Sequence, residues 1–410
     1  MSNYQLNGAP LDVHAPDSRR RLAAAHSAHE RPLCLCRRPP IPMYIAKLQE
    51  AFIVKRMPGT GSKHAPDCES YDPPAELSGL GEVMDRAIKE DPENGETTLK
   101  LAFSMSKGAS RNAPVPGDGE TTTVKSDGTK LTLRSVLHYL WDQAGFNRWT
   151  PAMAGKRSYP VVRRHLLQAA SDKRAKNAPL SDSLFIPEPF SQPEADGIAE
   201  RARRLFRSIA GVRGGVRKLM IVVAEVKQFD DARFGKKVTF KHLPSQPFYM
   251  DAKFGEKLQK TFGNEIDMWN ADEGAHLMLV GTFSVLESGF PQLEEAALMA
   301  VNSNWIPFET LDDHLLLQRL HAEGRRFIKG LRFNLSNKKP LATVVTNDTS
   351  PNPVALYVVA PESEEDHLAA LSALVKDSSL SAWFWRADEA MPPLPEIEGF
   401  ESQSLDLEGV

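Results

Sequence analysis

Three cysteines and one histidine near the N-terminus are the residues best suited to chemistry. They form a C-x-C pair and an H-x-x-x-C pair that are separated by 27 residues, and the four are Cys34, Cys36, His64 and Cys68. Three thiolates and one imidazole complete the tetrahedral coordination of zinc and leave no position for a water molecule. The set therefore predicts a structural zinc site rather than a catalytic one. The alternative is three unlinked thiols and a surface histidine.

A β-hairpin is expected to bring the two pairs together. Strand-like runs at residues 43–48 and 51–56 flank the polar pair Gln49 and Glu50, and their alternating side chains suit a hairpin. The two ends of a hairpin meet, and zinc binding there would contribute folding energy to a segment that lacks its own core. The neighbouring PGTGSKH lacks the spacing of a phosphate-binding P-loop, so it predicts a glycine turn that delivers His64.

The cysteine region resembles the bacterial domain-of-unknown-function family 1173. The specific part is LCLCRRPPIPMYIAKLQEAFIVKRMPGTGSKHAPDC, and the resemblance continues through YDPP, LSGLG, HYLWDQAGFNRW, VRRHLL, AEVKQF, WIPFE and RRFIKGLRFN. That family is marked by three N-terminal cysteines and is often encoded on plasmids and integrative elements. The resemblance therefore implies mobile-element protein partners but no activity. The C-x-C start is also loosely similar to SWIM-type zinc fingers, which bind DNA or protein.

Residues 130–195 predict a basic helical module similar to a winged helix. Apolar residues recur at helical spacing from Leu133 to Ala144, residues 160–170 predict a second helix with Ser158 as its cap, and SLFIPEPF predicts a short strand. Residues 130–176 hold ten basic side chains against two acidic ones, which favours binding to DNA phosphates. The alternative is a solvated basic face, or one that docks on an acidic part of the chain. The residues predicted to contact DNA are Arg148, Lys156, Arg157, Arg163, Arg164, Lys173 and Arg174.

A metal-dependent nuclease is the enzymatic alternative, and its weak catalytic candidates are Glu225, Lys227 and Asp348. Glu225 and Lys227 have E-x-K spacing, which puts a metal-binding carboxylate and a lysine on the same face of a strand. The aspartate that completes such a site is missing between Asp196 and Glu225. An exposed pair of opposite charges on a strand is therefore the commoner explanation.

The order of elements in residues 301–399 is similar to that of PD-(D/E)-x-K nucleases. In that order Glu309 would begin a helix and Asp348 would end the first strand, but the E-x-K positions fall near Tyr357 and Val359. Neither of those side chains can bind a hard metal ion or activate water. The region therefore predicts a degenerate nuclease that is kept for binding or assembly.

The second half of the chain alternates strand and helix patterns, which predicts a mixed α/β or α+β fold. Strands are predicted at residues 219–226, 237–243, 276–285, 341–346 and 354–359. Helices are predicted at residues 255–262, 293–301, 312–329 and 364–374. The predicted divisions are an N-terminal arm (1–30), a zinc-binding hairpin (31–75), a strand, helix and linker region (76–129), the basic module (130–195), an α/β segment (196–300), the nuclease-like domain (301–399) and an acidic tail (400–410).

Composition sets the broader limits on function. The 410 residues carry a net charge of −3, which argues against a uniformly basic coat protein, and three cysteines argue against a disulfide scaffold. Neither a signal peptide nor a membrane-spanning run is expected, which predicts a cytoplasmic protein with no membrane contact. The leading interpretation is a zinc-containing, DNA-binding protein without catalysis. A nuclease and a zinc-braced protein-interaction module are the alternatives.

Overall fold

The computed structural model of the chain describes residues 3–48, 51–93, 95–108, 128–211 and 215–403. Most of the predicted linker, at 109–127, and the end of the predicted acidic tail, at 404–410, lie outside these ranges. Within them the chain has a mixed α and β fold, in which helices pack on several β-sheets. This general fold class agrees with the sequence prediction.

The N-terminal residues form a five-stranded antiparallel sheet. Its elements are β1 (Tyr4–Leu6), β2 (Ala9–Leu11), α1 (Ser18–Ser27), β3 (Leu33–Cys34), β4 (Ile41–Leu48) and β5 (Ala51–Arg56). The strand order is β2-β1-β3-β4-β5, so the predicted hairpin of β4 and β5 is confirmed. Helix α1 covers the hairpin because Leu22 and Ala25 recur on one helical face and pack against Ile45.

The middle of the chain contains two packed helices and a four-stranded sheet. Its elements are α2 (Leu80–Val83), β6 (Ile88–Glu90), β7 (Thr97–Leu99), β8 (Ser106–Lys107), α3 (Leu133–Gln143), β9 (Arg148–Trp149), α4 (Tyr159–Ala170), β10 (Lys173–Ala175) and β11 (Ala178–Pro179). Helix α3 begins where the Thr132 side chain accepts a hydrogen bond from the Ser135 backbone N–H. Both predicted helices are confirmed. The hairpin of β10 and β11 turns at Lys176 and Asn177, whose positive φ angles of 49° and 65° suit a tight two-residue turn.

Residues 184–301 contain the largest sheet, and its strands close into a ring. The elements are β12 (Leu184–Phe185), α5 (Ala195–Ile209), β13 (Arg217–Lys218), β14 (Met220–Ala232), β15 (Gly235–Phe240), β16 (Leu243–Met250), α6 (Ala252–Thr261), α7 (Gly263–Ala271), β17 (His276–Val285) and β18 (Pro291–Val301). Strand β14 pairs with β15 and β17, β18 pairs with β17 and β16, and β16 pairs with β15. Ile221 and Val223 of β14 face outward from the ring into the core that holds α3 and α4.

Strand β18 corrects the helix that the sequence predicted at residues 293–301. Its last five residues are all buried and apolar or small, so they show neither a helical nor a strand period. Pairing with β17 along almost the whole of both strands decides the conformation. The prediction was wrong because a fully buried strand and a buried helix have the same apolar composition.

The C-terminal residues form a five-stranded sheet with α8 and α9. The elements are α8 (Leu311–Ala322), β19 (Phe327–Lys329), β20 (Val344–Thr346), β21 (Val354–Val359), α9 (Glu365–Asp377) and β22 (Ser381–Arg386). The strand order is β22-β21-β20-β19-β9, so a strand from the middle of the chain completes this sheet. The helix predicted at 312–329 is shorter than expected, because Gly324, with φ of +65°, follows it and the chain enters β19.

Candidate functional site

The four predicted metal ligands meet beside the hairpin of β4 and β5. Cys34 ends β3 and Cys36 follows it, while a short 3₁₀ turn after β5 leads into His64. The Cys68 backbone N–H then donates to the Ala65 carbonyl at 2.9 Å, which turns the chain back towards β3. The antiparallel pairing of β3, β4 and β5 therefore brings together two ligand pairs that are far apart in sequence.

The ligand atoms are close enough to share one metal ion, since all four lie within 4.8 Å of one another. The Sγ atoms of Cys34 and Cys68 are 3.7 Å apart. Nδ1 of His64 lies 3.4 Å from Sγ of Cys36 and 3.7 Å from Sγ of Cys68. A disulfide needs sulfur atoms about 2.0 Å apart, so the thiols are free. Among the described residues this is the one group of three or more histidine, cysteine, aspartate or glutamate side chains that lie close enough together to hold a metal ion.

The centre is shielded from water and supported by the backbone. Cys34 and His64 are fully buried, and the N–H groups of Ala65 and Ser70 point at the two other ligand sulfurs from 3.5 and 3.4 Å. Burial raises the pKa of the Cys34 thiol to about 12 and lowers the pKa of His64. A metal ion binds thiolates and neutral imidazole, so its binding must displace thiol protons.

The loop that carries the second ligand pair is tied to the rest of the protein. Asp72 forms ion pairs with Arg56 of β5 and with Arg148 of β9. The Asn347 side chain donates to the Pro66 carbonyl at 2.9 Å, between the two ligands of that pair. The candidate metal centre is therefore linked to the C-terminal sheet and is not an independent finger.

Three of the seven predicted DNA-binding residues are engaged inside the protein. Arg148 pairs with Asp72, and the Arg157 guanidinium donates to several backbone carbonyls and lies over the Trp149 ring at 5.5 Å. Lys173 is only 1% exposed and binds a neighbouring carboxylate at 2.6 Å. These three cations balance buried polar groups, so their charge is not presented at the surface.

The other four predicted DNA-binding residues are more accessible. Lys156 and Arg164 are exposed, whereas Arg163 and Arg174 are half-buried. Arg163 donates to a backbone carbonyl at 3.1 Å, and Arg174 lies 3.7 Å from the Glu96 carboxylate. The structure thus reduces the predicted basic patch to a smaller surface around the start and the exposed face of α4.

Glu225 lies in a buried polar cluster that the sequence analysis did not foresee. Its side chain on β14 is only 3% exposed, and its carboxylate accepts hydrogen bonds from Lys241 at 2.6 Å, His276 at 2.7 Å and His242 at 3.3 Å. Lys227, its predicted partner, is exposed and has no contact with this cluster. Because three donors already fill the carboxylate, the arrangement is a hydrogen-bond network rather than a metal-ion cage.

Both imidazoles of this cluster are held in one tautomer. Nδ1 of His242 accepts the Phe190 backbone N–H at 3.0 Å, so its hydrogen is on Nε2, which faces the carboxylate. His276 donates from Nδ1 to the carboxylate, and only in the neutral ring does this leave a lone pair on Nε2. Each ring is stacked on an aromatic side chain, His242 on Tyr159 and His276 on Trp305, with ring centroids 3.5 and 4.1 Å apart. The geometry of both imidazoles is therefore fixed on two sides.

The stability of the protein is expected to fall in acid through Glu225. Burial alone would raise the pKa of Glu225, but hydrogen bonds from His242, His276 and Lys241 outweigh it and hold the pKa well below its usual range. A lowered folded-state pKa stabilises the fold fully above the unfolded-state pKa of about 4.3, and this stabilisation is lost as the pH falls through the folded-state pKa. Urea denaturation gives the free energy of unfolding of the native protein and of Glu225→Gln. The difference between the two proteins should be smaller near pH 3 than at neutral pH. A difference that grows in acid would contradict the expected sign.

The remaining catalytic candidates do not converge. Arg325 binds both oxygens of Asp348, at 2.9 and 3.0 Å, and Arg332 binds Glu309 at 2.7 Å. Tyr357, at a predicted E-x-K position, is buried, and its hydroxyl has no partner among the described residues. These contacts bring no set of carboxylates and a lysine together, so the nuclease-like site predicted in residues 301–399 is not confirmed among the described residues.

Sequence reasoning missed three members of the Glu225 cluster, namely Lys241, His242 and His276. Lys241 and His242 form the turn between β15 and β16, and His276 begins β17, so no short spacing connects them to Glu225. The available signal was Glu225 itself, a carboxylate at the end of an apolar strand. A buried carboxylate needs hydrogen-bond donors, but the sequence does not say which residues supply them.

Comparison with known proteins adds a family but no activity. The profile of a family described as "Protein of unknown function (DUF1173)" matches residues 4–388, which include the four candidate metal ligands. Neither the curated proteins nor the solved structures gave a match. In the part of the chain that the structure describes, no helix has the length and apolar character needed to cross a bilayer. Since the match covers nearly the whole sequence, the chain belongs to the DUF1173 family.

Proposed function

We propose that the protein is a zinc-stabilised DNA-binding protein without catalytic activity. The observation that carries the zinc assignment is the spacing of the four ligand atoms. Zinc bonds of about 2.3 Å to sulfur and about 2.0 Å to nitrogen, at tetrahedral angles, place two sulfurs about 3.8 Å apart and sulfur and nitrogen about 3.6 Å apart. In this structure the two sulfurs of Cys34 and Cys68 are 3.7 Å apart, and Nδ1 of His64 is 3.4 Å from the Cys36 sulfur and 3.7 Å from the Cys68 sulfur.

The exposed face of α4 supports the DNA-binding part of the proposal. Pro160, Arg164 and Gln168 are exposed at successive i, i+4 positions, while Val162 and Leu166 are buried on the other side. Arginine and glutamine are side chains that bind guanine and adenine edges in the major groove. Two helices followed by a hairpin, α3, α4 and β10–β11, also have the element order of a winged helix, in which the second helix enters the groove.

Titration of a fluorescent DNA duplex tests this surface. Lys156→Ala/Arg164→Ala should weaken binding about tenfold, and loss of the Lys156 phosphate contact should lower the slope of log K against log salt by about 0.9, while loss of Arg164 removes a base contact. Lys253→Ala/Lys376→Ala removes the same charge from exposed sites elsewhere and should change neither value. Equal effects of the two double variants would contradict the proposal. Failure of the protein to bind DNA, with co-purification of a protein partner, would favour the zinc-braced interaction module.

A second candidate function is phosphodiester cleavage by acid–base chemistry at His276. The observation that favours it is the pairing of a buried carboxylate with Nδ1, which leaves the lone pair of Nε2 on a partly exposed ring. A carboxylate that orients an imidazole in this way prepares it to accept a proton. Incubation of plasmid DNA and RNA with magnesium, with manganese or with a chelator would distinguish cleavage by His276 from metal-dependent cleavage. Cleavage that persists in chelator and is lost in His276→Ala would support this candidate, and the absence of any cleavage would exclude it.

The cellular setting is part of the same proposal. The family resemblance associates such proteins with plasmids and integrative elements, so we infer a cytoplasmic role at the DNA of a mobile element, with other proteins of that element as partners. The three free thiols are consistent with a reducing compartment. Recovery of element DNA with the tagged protein, and its loss in Lys156→Ala/Arg164→Ala, would test this role.

A further inference from the structure

A groove of about 620 Å³ lies directly beside the metal centre. Its basic residues are Arg31, Arg37, Arg38 and Lys63, and none of the described residues that line it is acidic. Prolines and Met57 supply the apolar part of its surface. The groove therefore combines positive charge with an apolar wall, although nothing in the sequence analysis assigned a role to these residues.

Three of the four cations are free to meet a ligand. Arg37, Arg38 and Lys63 are exposed and form no ion pair with any described residue. Arg31 is the exception, since it pairs with Glu93. A zinc ion with three thiolates would carry one net negative charge, so even with the metal bound the groove keeps an excess of positive charge.

The groove is built on the metal ligands themselves. Arg37 directly follows Cys36, and Lys63 directly precedes His64. The ligand atoms of Cys36 and His64 are 3.4 Å apart, so the centre holds together the two chain segments that carry these cations. Metal binding is therefore expected to preorganise this surface as well as to stabilise the fold.

We propose that this groove binds a single strand of nucleic acid, with phosphates on Arg37, Arg38 and Lys63 and a base or sugar against the apolar wall. Guanidinium groups match the geometry of phosphate, and a concave surface with an apolar wall suits a strand whose bases are unpaired. The hairpin is tied to the segment before β10 by the Lys55–Asp172 ion pair at 2.6 Å, so the groove and α4 belong to one packed body. The inference rests on the proposed function and names a second contact with the same class of ligand.

The test uses the full chain with zinc bound and a fluorescent oligothymidylate of about 15 nucleotides. Arg37→Ala/Arg38→Ala should weaken binding about tenfold and lower the salt slope by about 1.4, the value for two contacts to a single strand. Lys253→Ala/Lys376→Ala should leave both unchanged. Unaltered zinc content and melting temperature in Arg37→Ala/Arg38→Ala would show that the loss does not come from misfolding. Removal of the metal with a chelator should also lower the affinity for this strand.

The outcomes separate this inference from the proposed function. If Arg37→Ala/Arg38→Ala has the same affinity for the single strand as the native protein, the groove assignment is overturned. The proposed α4 surface is tested separately, by the duplex titration. If an acidic peptide occupies the groove and displaces no nucleic acid, the groove is a protein-docking site and the inference is wrong. If the native protein binds neither duplex nor single strand, both proposals fail together.

Discussion

Replacement of Cys34 by serine is expected to release the metal ion and to destabilise the N-terminal sheet strongly. Cys34 is fully buried where β3 meets β4, and serine is a poor ligand for zinc. Structural zinc binds with apparent free energies of about 10–16 kcal/mol, and this binding is coupled to folding. Elemental analysis should show loss of the metal, and limited proteolysis should cleave first within residues 31–75, before the rest of the chain.

Leu35→Ser is the matched control for this prediction. Leu35 lies between the two ligands of the C-x-C pair, but its side chain is 43% exposed and is not a ligand. A serine there should leave metal content and melting temperature nearly unchanged. If Cys34→Ser retained the metal and resisted proteolysis like Leu35→Ser, the four residues would not form a structural metal site.

Glu225→Ala is expected to destabilise the large ring-shaped sheet. It removes the acceptor shared by Lys241, His242 and His276 and leaves their donors without a partner in a mostly buried site. Lys241 is 40% exposed and can turn to water, so the loss comes mainly from the imidazoles, which are 18% and 24% exposed, and a donor left unsatisfied costs about 1–3 kcal/mol. Urea denaturation monitored by tryptophan fluorescence should detect the loss, since Trp305 stacks on His276.

Two further variants make this prediction specific. Glu225→Gln keeps the shape and one acceptor oxygen, so it should cost less than the alanine variant. Glu287→Ala removes a carboxylate from the exposed turn between β17 and β18 and should change the free energy of unfolding by less than about 0.5 kcal/mol. Similar losses in Glu225→Ala and Glu287→Ala would show that the polar cluster contributes nothing to stability.

The sequence predicted that Cys34, Cys36, His64 and Cys68 would meet, because much of the geometry that joins them is local. A two-strand hairpin is specified by alternating side chains and a short polar turn, and its ends meet whatever the rest of the fold does. The pairing of β3, β4 and β5 therefore brings the two ligand segments to the same end of the sheet, and contacts of the second segment with Arg148 and Asn347 complete its placement. The identity of the ligands follows from residue type, since few other combinations satisfy a soft metal ion so completely.

The Glu225 cluster could not be predicted in the same way. Its members lie on separate elements that meet only when β14, β15 and β17 pair, and that pairing depends on the closure of the whole sheet. The same limitation explains the incorrect helix at residues 293–301, where long-range pairing rather than local pattern fixed the strand. A charged residue in an apolar strand, such as Glu225, indicates that some hydrogen-bond donor lies nearby. It does not indicate which residue supplies that donor.

The count of basic residues overstated the basic surface. Arg148, Arg157 and Lys173 looked in sequence like part of a nucleic-acid patch, but they satisfy buried carboxylates and carbonyls. Long cationic side chains often serve as internal supports when an acidic partner is desolvated with them. Conversely, Arg37 and Arg38 lie outside the predicted basic module, although both are exposed and form no ion pair with a described residue.

The central claim is that Cys34, Cys36, His64 and Cys68 bind one zinc ion. Elemental analysis combined with native mass spectrometry, on protein purified without added metal or chelator, tests it most directly. We expect one zinc per chain, bound through the three cysteine sulfurs and Nδ1 of His64. Protein that is folded and stable but contains no stoichiometric metal would contradict the claim.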